Sequence, residues 1–475
     1  MDSIQQIAVR MVEEICSTVQ KRGLNEIGET ISALQPVVSK TVLEIVTVCL
    51  SEMDTALVKG AKGQRKQDGI TVKERDVERT ILTELGELKY KRTYFRLPEG
   101  KYVYLLDHMV GIEGYERISK ELVAELLEAS AEQSYAKAIQ KKKQPVSRQT
   151  VHDRLVAMEE VAAEVQRMDR TPETLDLFAD EDHVHLRPKG SAVVPLLTIT
   201  EGMDTKDPKR HKTIHPFHLG AYGVQPAALY ENMLAVLTER YDLDRVQQIN
   251  VHSDGGSWIR GLQKLLPNSR MVMDGYHLGK RIRSFLRLEG AQPYAGVLRR
   301  SMRQMDGYAS FAGYCESVFA KQTTESGKQR VREFVGYCAE HWASIVTRLQ
   351  KETCGSCTEP LVGHVLSERL SRNPIAWSPD GLRKMTMLVL YRKNGGHVCR
   401  TNIRVRRDPG AKENFHEDGY ARYRDYAIRQ ADAVLSVKHD WSLFEQEHTS
   451  SGKVNGIYLI RKSLGSLKPL MEMVS

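Results

Sequence analysis

VHSDGGSWIRGLQKLLPNSRMVMDGYHLGKRIRSF, residues 251–285, is the stretch whose reading decides the fold. It carries Asp254 and Asp274, each just past a short apolar run (249–251 and 271–273) and each followed by a glycine. A short apolar run that stops at Asp-Gly is the pattern of a buried strand leaving the edge of a sheet. Between the two runs, Trp258, Ile259, Leu262, Leu265 and Leu266 fall on one face of a helix over residues 257–266. Strand, helix, strand with acids at the strand ends predicts an α/β unit, and in open α/β sheets chemistry sits at the carboxyl ends of strands. Asp-Gly alone is ordinary turn chemistry. The pair, followed by His277 and Lys280, points instead to a site in which aspartates hold metal.

Working upstream, strands are expected over residues 175–186, 192–200 and, more weakly, 211–219, then a helix over 226–241. Three adjacent strands followed by helix, strand, helix, strand is the order of a ribonuclease H-like core. The first strand presents Asp180 and Asp182 two residues apart, hence on one face. In this topology the first strand neighbours the fourth, so one of them stands beside Asp254. A third acid is expected from a helix crossing the sheet edge, where Glu359, just before Pro360, is best placed. Three carboxylates suit two divalent cations, Mg²⁺ or Mn²⁺, for phosphodiester chemistry. Asp254 and Glu359 stand 105 residues apart, too far for a bare core, so a helical insertion is expected between them. Residues 280–305 hold Lys280, Arg281, Arg283, Arg287, Arg299, Arg300 and Arg303 against one acid, Glu289, which reads as a phosphate-facing surface.

The rest of the chain fits a nucleic-acid partner. It has 475 residues, 41% of them hydrophobic, and a formal charge of +8, enough for several domains with a mild basic excess. Residues 1–60 read as helices for packing or self-association, with Val9, Val12, Ile15 and Val19, then Val42, Ile45 and Val46, at helical spacing. Residues 61–69 read as a polar linker. Residues 78–106 read as a β-hairpin turning at 97–101, with Lys89, Lys91, Arg92 and Arg96 exposed. Ser119 caps one helix, a second covers 132–140, and Ser147 caps a third whose inward face runs Val151, Leu155, Met158, Ala162 and Val165. This suits a helix-turn-helix in which Lys142 and Lys143 meet phosphates and Arg148, Gln149 and His152 approach bases. Further helices are expected at 360–371 and 378–393, and nothing chemical in the tail. Seven irregularly spaced cysteines argue against a disulfide framework and for a reducing compartment. The amphipathic start lacks the layout of a signal peptide, and no uninterrupted apolar run is read as long enough to cross a bilayer. A soluble, cytoplasmic protein with no membrane partner is expected.

Five blocks together resemble a known family. They are SYAKAIQKKKQPVSRQTV (134–151), DEDHVHL (180–186), SDGGSWI (253–259), MDGYHLGK (273–280) and TEPLVGHVLSERLSRNPIAWS (358–378). In order and spacing they are similar to the insertion-sequence transposases of the ISLre-two group, within the DDE class and related to Mutator-type enzymes, across about residues 75–397. The resemblance implies a ribonuclease H-like core interrupted by a helical insertion, with Asp180, Asp254 and Glu359 as first, second and third carboxylates. Asp182 competes for the first place. Asp274, His277 and His364 take supporting roles. The family usually reads Glu-Gly-His where this chain has Glu359-Pro360-Leu361, although His364 still falls five residues after the glutamate. The implied partners are terminal inverted repeats and target DNA, bound by a homodimer or higher multimer in a bacterial, nucleoid-associated setting. The expected layout is 1–70 helical, 71–170 DNA-binding, 171–280 core, 281–353 insertion, 354–397 core, 398–475 tail.

Three other readings compete. His183, His185, His252, His277 and Asp254 are the ligand types of a zinc or iron hydrolase of small substrates. Cys354 and Cys357, with His364 or with His397 and Cys399, sketch a zinc module. A catalytically inactive DNA-binding descendant of a transposase would keep the same outline.

Overall fold

The computed structural model describes residues 4–22, 26–60, 62–204, 206, 212–266, 268–291, 300–303, 305–350, 357–373, 375–403 and 425–429. It divides into two units, Met1–Leu122 with Val405–Ser475, and Val123–Arg404.

The first unit is built from long helices Ile4–Arg22 and Ile27–Thr55 and a three-stranded antiparallel sheet: β1 (Thr71–Thr83), β2 (Gly86–Arg96) and β3 (Tyr102–Val103). The expected turn at 97–101 is present between antiparallel β2 and β3, and a tighter turn at 84–85, which the sequence reading missed, joins β1 to β2. Thr83 Oγ1 accepts from Leu85 N and donates to Gly86 O, and Gly86 takes a φ of 127°, which closes this tighter turn. The 97–101 turn leads only into β3. Lys89, Lys91 and Arg96 are exposed, but Arg92 is buried in an ion pair with Asp107 beneath the Tyr104 ring. The expected linker is partly helical (Lys62–Gln67), because buried Arg65 donates to Leu57 O and Val58 O at 2.6 Å each. The core of this unit gathers Leu50, Met53, Leu57, Ile81, Phe95, Leu105 and Leu106. Ile27–Lys59, though interrupted by charges, passes by length and composition alone for a helix that could cross a membrane. Its second half instead supplies core residues here, and Asp54 accepts from Thr93 N and Oγ1. Val42 and Val46 are exposed on it, with Ile27, Ile31 and Val38.

The second unit is mixed α/β. Five strands form one sheet in the order β10-β9-β4-β5-β8: β4 (Thr174–His185), β5 (Ser191–Thr200), β8 (Phe217–Gly220), β9 (Gln248–Ser253) and β10 (Ser269–Met273). β4, β5 and β8 are antiparallel, while β9 and β10 run parallel to β4. The strand expected at 211–219 breaks in two. His215 sits at a φ of 47°, so Lys212–Thr213 (β7) pairs with Met203–Asp204 (β6) as a separate ribbon and only β8 joins the sheet. One sheet face carries Leu175, Leu177, Ala179, Ile249 and Val251 against the helix Pro226–Arg240, through Leu229, Met233 and Leu237. The helix after β9 is Ser257–Gln263, shorter than expected; Pro267 disfavours helix before it, and Leu265 is left 48% exposed. β10 feeds a helical cluster, Gly275–Phe285, Tyr308–Ala320, Glu325–Glu340 and Trp342–Leu349, packed on Phe285, Phe311, Phe334 and Trp342. Upstream, Ser134 and Ser147 cap Tyr135–Lys142 and Arg148–Ala157. The latter stops at Ala157, so Ala162 and Val165 lie outside its face.

Candidate functional site

β4 and β9 are locked in register through Phe178 opposite His252. Side chains alternate across a strand, so Asp180 and Asp254 follow two residues on, on the face away from the Leu175–Val251 core. β9 ends at Ser253, and there the chain turns sharply. Ser253 Oγ accepts from Gly255 N at 3.1 Å, Asp254 Oδ1 accepts from Gly256 N at 2.9 Å, and Gly255 adopts a φ of 94°. The imidazole of His341 fills the space a Cβ on Gly255 would need. Asp180 Oδ1 accepts from Glu181 N at 2.9 Å. Burial pushes the Asp180 carboxyl up to about 6, with the charges of Asp254 and Glu359 adding and the Glu181 N–H and His277 opposing. Asp180 therefore feels both of the other carboxylates.

Glu359 lies in the first turn of the helix Thr358–Val362, which packs beside β4 and continues through a wider turn, Gly363–Ser367, into Glu368–Leu370. Its side chain is 56% exposed and its Oε2 lies 4.0 Å from His277 Nε2. One ligand atom each from Asp180, His277 and Glu359 fall within 4.8 Å of one another, a spacing that can hold a metal ion. His277 Nε2 is shut off from solvent and has no hydrogen-bond partner among the described residues.

The other residues singled out from the sequence have different jobs. Asp182 is buried and its Oδ1 accepts from Ser367 Oγ (3.0 Å) and Ser371 Oγ (2.8 Å), which ties β4 to the Glu359 helix; its Oδ2 has no partner among the described residues. Asp274 is the N-cap of Gly275–Phe285, its Oδ2 accepting from Tyr276 N at 2.9 Å and His277 N at 3.0 Å, so it fixes the turn that carries His277. His364 points to Glu368 Oε1 at 3.0 Å with its side chain 74% exposed, outside the cluster. Lys280, Arg281, Arg283 and Arg287 are all exposed, the first three on the helix that begins at the Asp274 cap. Lys142 pairs with Glu125 at 2.6 Å, and Lys143 closes its helix at a φ of 52°. Arg148 and Gln149 are exposed, Gln149 bonded to Asp153. His152 does not face outward: its Nε2 lies 3.2 Å from Ser378 Oγ, the cap of Pro379–Lys393.

The histidine-rich set does not converge. His183 and His185 are exposed on the opposite face of β4, and His252 is buried against Phe178 with its Nε2 2.7 Å from Asp176 Oδ1. Of that set His277 alone joins the cluster. Cys354 lies outside the described residues, and burial pushes the Cys357 thiol up to about 12. Two neighbours carried no sequence signal. Trp258 Nε1 donates to Glu181 Oε2 at 3.1 Å beside Asp180, and His341 comes from the helical cluster, 87 residues after Asp254.

A family profile described as an uncharacterised protein family, UPF0236, matches residues 20–407. The chain is similar to a UPF0236 protein of Caldanaerobacter subterraneus subsp. tengcongensis, 28% identical over 474 residues, 98% of this chain and 97% of that one. The name of that relative joins eleven locus designations. Another from the same organism, with four designations, is 26% identical over 98% of this chain and 97% of its own. A UPF0236 protein from the vanSb 3′ region of Streptococcus gallolyticus is 22% identical over 78% of this chain and 83% of its own.

Proposed function

The chain belongs to UPF0236, a family with many paralogues in one bacterium, and on that premise we propose that it is a DNA transposase of the DDE class. The observation that carries this reading is the meeting of Asp180 and Glu359, with His277, within 4.8 Å of one another, beside Asp254 at the carboxyl end of the strand paired parallel with β4. Repeated copies in one genome are compatible with a mobile element. The strand order β10-β9-β4-β5-β8, with three antiparallel strands leading into two parallel ones, supports a ribonuclease H-like core. On this reading the helices between His277 and Glu359 are its insertion.

The donor set fits divalent cations. Asp180, pushed upward by burial and by the charges of Asp254 and Glu359, would be relieved of that repulsion by a shared cation. Asp180, Asp254 and Glu359 would hold Mg²⁺ or Mn²⁺, two ions per site, which supply an activated oxygen nucleophile and a neutralised leaving oxygen. Asp182 keeps the Glu359 helix docked on β4. The Gly255–His341 contact holds the Asp254 turn, and Asp274 holds the turn of His277. Lys280, Arg281, Arg283 and Arg287 would take phosphates next to the cluster, with Lys142, Lys143, Arg148 and Gln149 as a second DNA contact.

The reaction is an in-line displacement. Water oxygen bonds to phosphorus at the element end and the bond to the 3′ oxygen breaks, leaving a free 3′-OH. That oxygen then bonds to a target phosphorus, whose own 3′ oxygen departs. No covalent protein–DNA intermediate is required, so no side-chain nucleophile is assigned. The protein would act as a homodimer or larger multimer on paired ends at the bacterial nucleoid.

The test is strand cleavage of a duplex bearing the flanking inverted repeats, with Mg²⁺ or Mn²⁺, for wild type, Asp254→Ala and Glu359→Ala. Metal-dependent nicking that vanishes in both variants while DNA binding persists is expected. Nicking that survives in Glu359→Ala rejects the third carboxylate, and no nicking in wild type rejects the enzyme reading in favour of a DNA-binding descendant.

A further inference from the structure

We infer that His277 is itself a metal ligand, bound through Nε2 beside Asp180 and Glu359, and that the site therefore takes a manganese-type ion in preference to magnesium. The inference deepens the transposase reading only in sharing its metal site; it needs no DNA chemistry to hold.

Three features lead to it. First, His277 Nε2 is closed off from solvent, and among the described residues nothing accepts from it or donates to it. A buried ring nitrogen without a partner is expected to have one in the working state. Second, the nearest acceptor, Glu359 Oε2, is 4.0 Å away. That is beyond hydrogen-bond reach, which ends at about 3.2 Å. It is inside the span of about 4.2 Å open to two ligands each about 2.1 Å from one ion. Asp180 completes the trio within 4.8 Å, so a side-chain adjustment of roughly half an ångström closes it.

Third, the histidine is held by its backbone. Asp274 accepts from both Tyr276 N and His277 N, which fixes the first turn and leaves the imidazole to approach Asp180 and Glu359. The His277 side chain is 35% exposed, and it is its Nε2 end, facing Asp180 and Glu359, that is closed off. A nitrogen donor changes which ion fits. Magnesium favours oxygen ligands and its own waters, whereas every first-row transition ion accepts imidazole more readily, so one nitrogen tilts the site away from Mg²⁺, and Mn²⁺ is the transition ion that best keeps the carboxylate ligands as well.

The experiment loads the full chain with MnCl₂ and records pulsed electron paramagnetic resonance. Wild type is expected to show the modulation of a directly bound ¹⁴N, shifting in frequency when the histidines carry ¹⁵N. In His277→Gln the modulation should vanish, with the melting temperature of the metal-free protein unchanged. Calorimetric titration should show Mn²⁺ affinity falling about tenfold or more in the variant, with Mg²⁺ affinity moving far less. Bound Mn²⁺ with no nitrogen coupling in wild type overturns the inference, even if Mn²⁺ supports strand cleavage and the transposase reading stands. Nitrogen coupling that survives in His277→Gln also overturns it. Nitrogen coupling that depends on His277, in a protein that cuts no DNA, leaves the ligand in place and rejects only the transposase.

Discussion

Asp274 offers the sharpest separation between a structural and a chemical carboxylate, because asparagine can replace it in one role and not in the other. It is 1% exposed and caps Gly275–Phe285 through two hydrogen bonds that one oxygen accepts. Removing an N-cap costs about 0.5–2 kcal/mol. Leaving buried N–H groups unpaired adds about 1–3 kcal/mol for the group that finds no water. Asp274→Ala should therefore cost about 1.5–5 kcal/mol in sum. In a unit of this size that lowers the melting temperature by roughly 3–20 °C. Asp274→Asn presents the same acceptor to the same two N–H groups, and asparagine ranks with aspartate as a cap. It should melt within roughly 2 °C of wild type. It should also bind Mn²⁺ as wild type does, whereas Asp254→Asn should not. The assay is differential scanning calorimetry of the metal-free proteins with a parallel Mn²⁺ titration. If Asp274→Asn keeps its melting temperature but loses Mn²⁺ as completely as Asp254→Asn, Asp274 is a ligand and the capping account is wrong.

The other predictions concern charge, space and DNA. Asp180 has its pKa raised from 3.8 to about 6 in the fold, so between those values the folded chain binds more protons than the unfolded one. Its contribution is most favourable below about pH 4 and is lost as pH rises through 6. In metal-free protein Asp180→Asn should thus raise the melting temperature at pH 7, a gain that shrinks to nothing near pH 4; a variant less stable than wild type at pH 7 contradicts the carboxylate cluster. Gly255→Ala forces a side chain onto a φ of 94° and into the His341 ring, which should cost about 1–3 kcal/mol for the backbone alone. Adding His341→Ala should recover the steric share and no more; full recovery in a thermal melt would show that the backbone is unstrained. Lys280→Ala with Arg283→Ala should reduce the slope of log affinity against log salt by about 2 for inverted-repeat DNA, and an unchanged slope in a filter-binding titration places the phosphates elsewhere.

The sequence made the sheet legible and the helices' ends less so. Ile249, Val251, Met271 and Met273, each pair followed by Asp-Gly, announced β9 and β10 because a strand that stops at a turn residue marks its own end. Asp180, Asp254 and Glu359 were readable because acids at strand ends and before a helical proline are locally odd. Asp182 was indistinguishable from Asp180 by periodicity; only the arrival of Ser367 and Ser371, some 185 and 189 residues later, separates them. Asp274 looked like a site residue because a buried cap and a metal ligand leave the same letter at a strand end. Arg92 was misread as exposed since its partner, Asp107, comes from the next helix and alternation counts only the strand. His341, a cap between two helices, and Trp258, an ordinary member of an apolar helix face, gave no warning until the fold sets them against Gly255 and Glu181.

The helix that docks Glu359 onto β4 also sets a clock. Asp254 follows Asp180 by 74 residues, with most of the sheet made by then, and Glu359 follows Asp254 by a further 105. At about 5–20 residues per second that is a wait of roughly 5–20 s. During it the nascent chain holds two like charges beside each other with nothing to complete them. Whatever the cluster does, a growing chain does not do it. The competence of the site is deferred until the helical segment and its closing helix have been made, and a polypeptide abandoned before Thr358 carries a sheet without a centre.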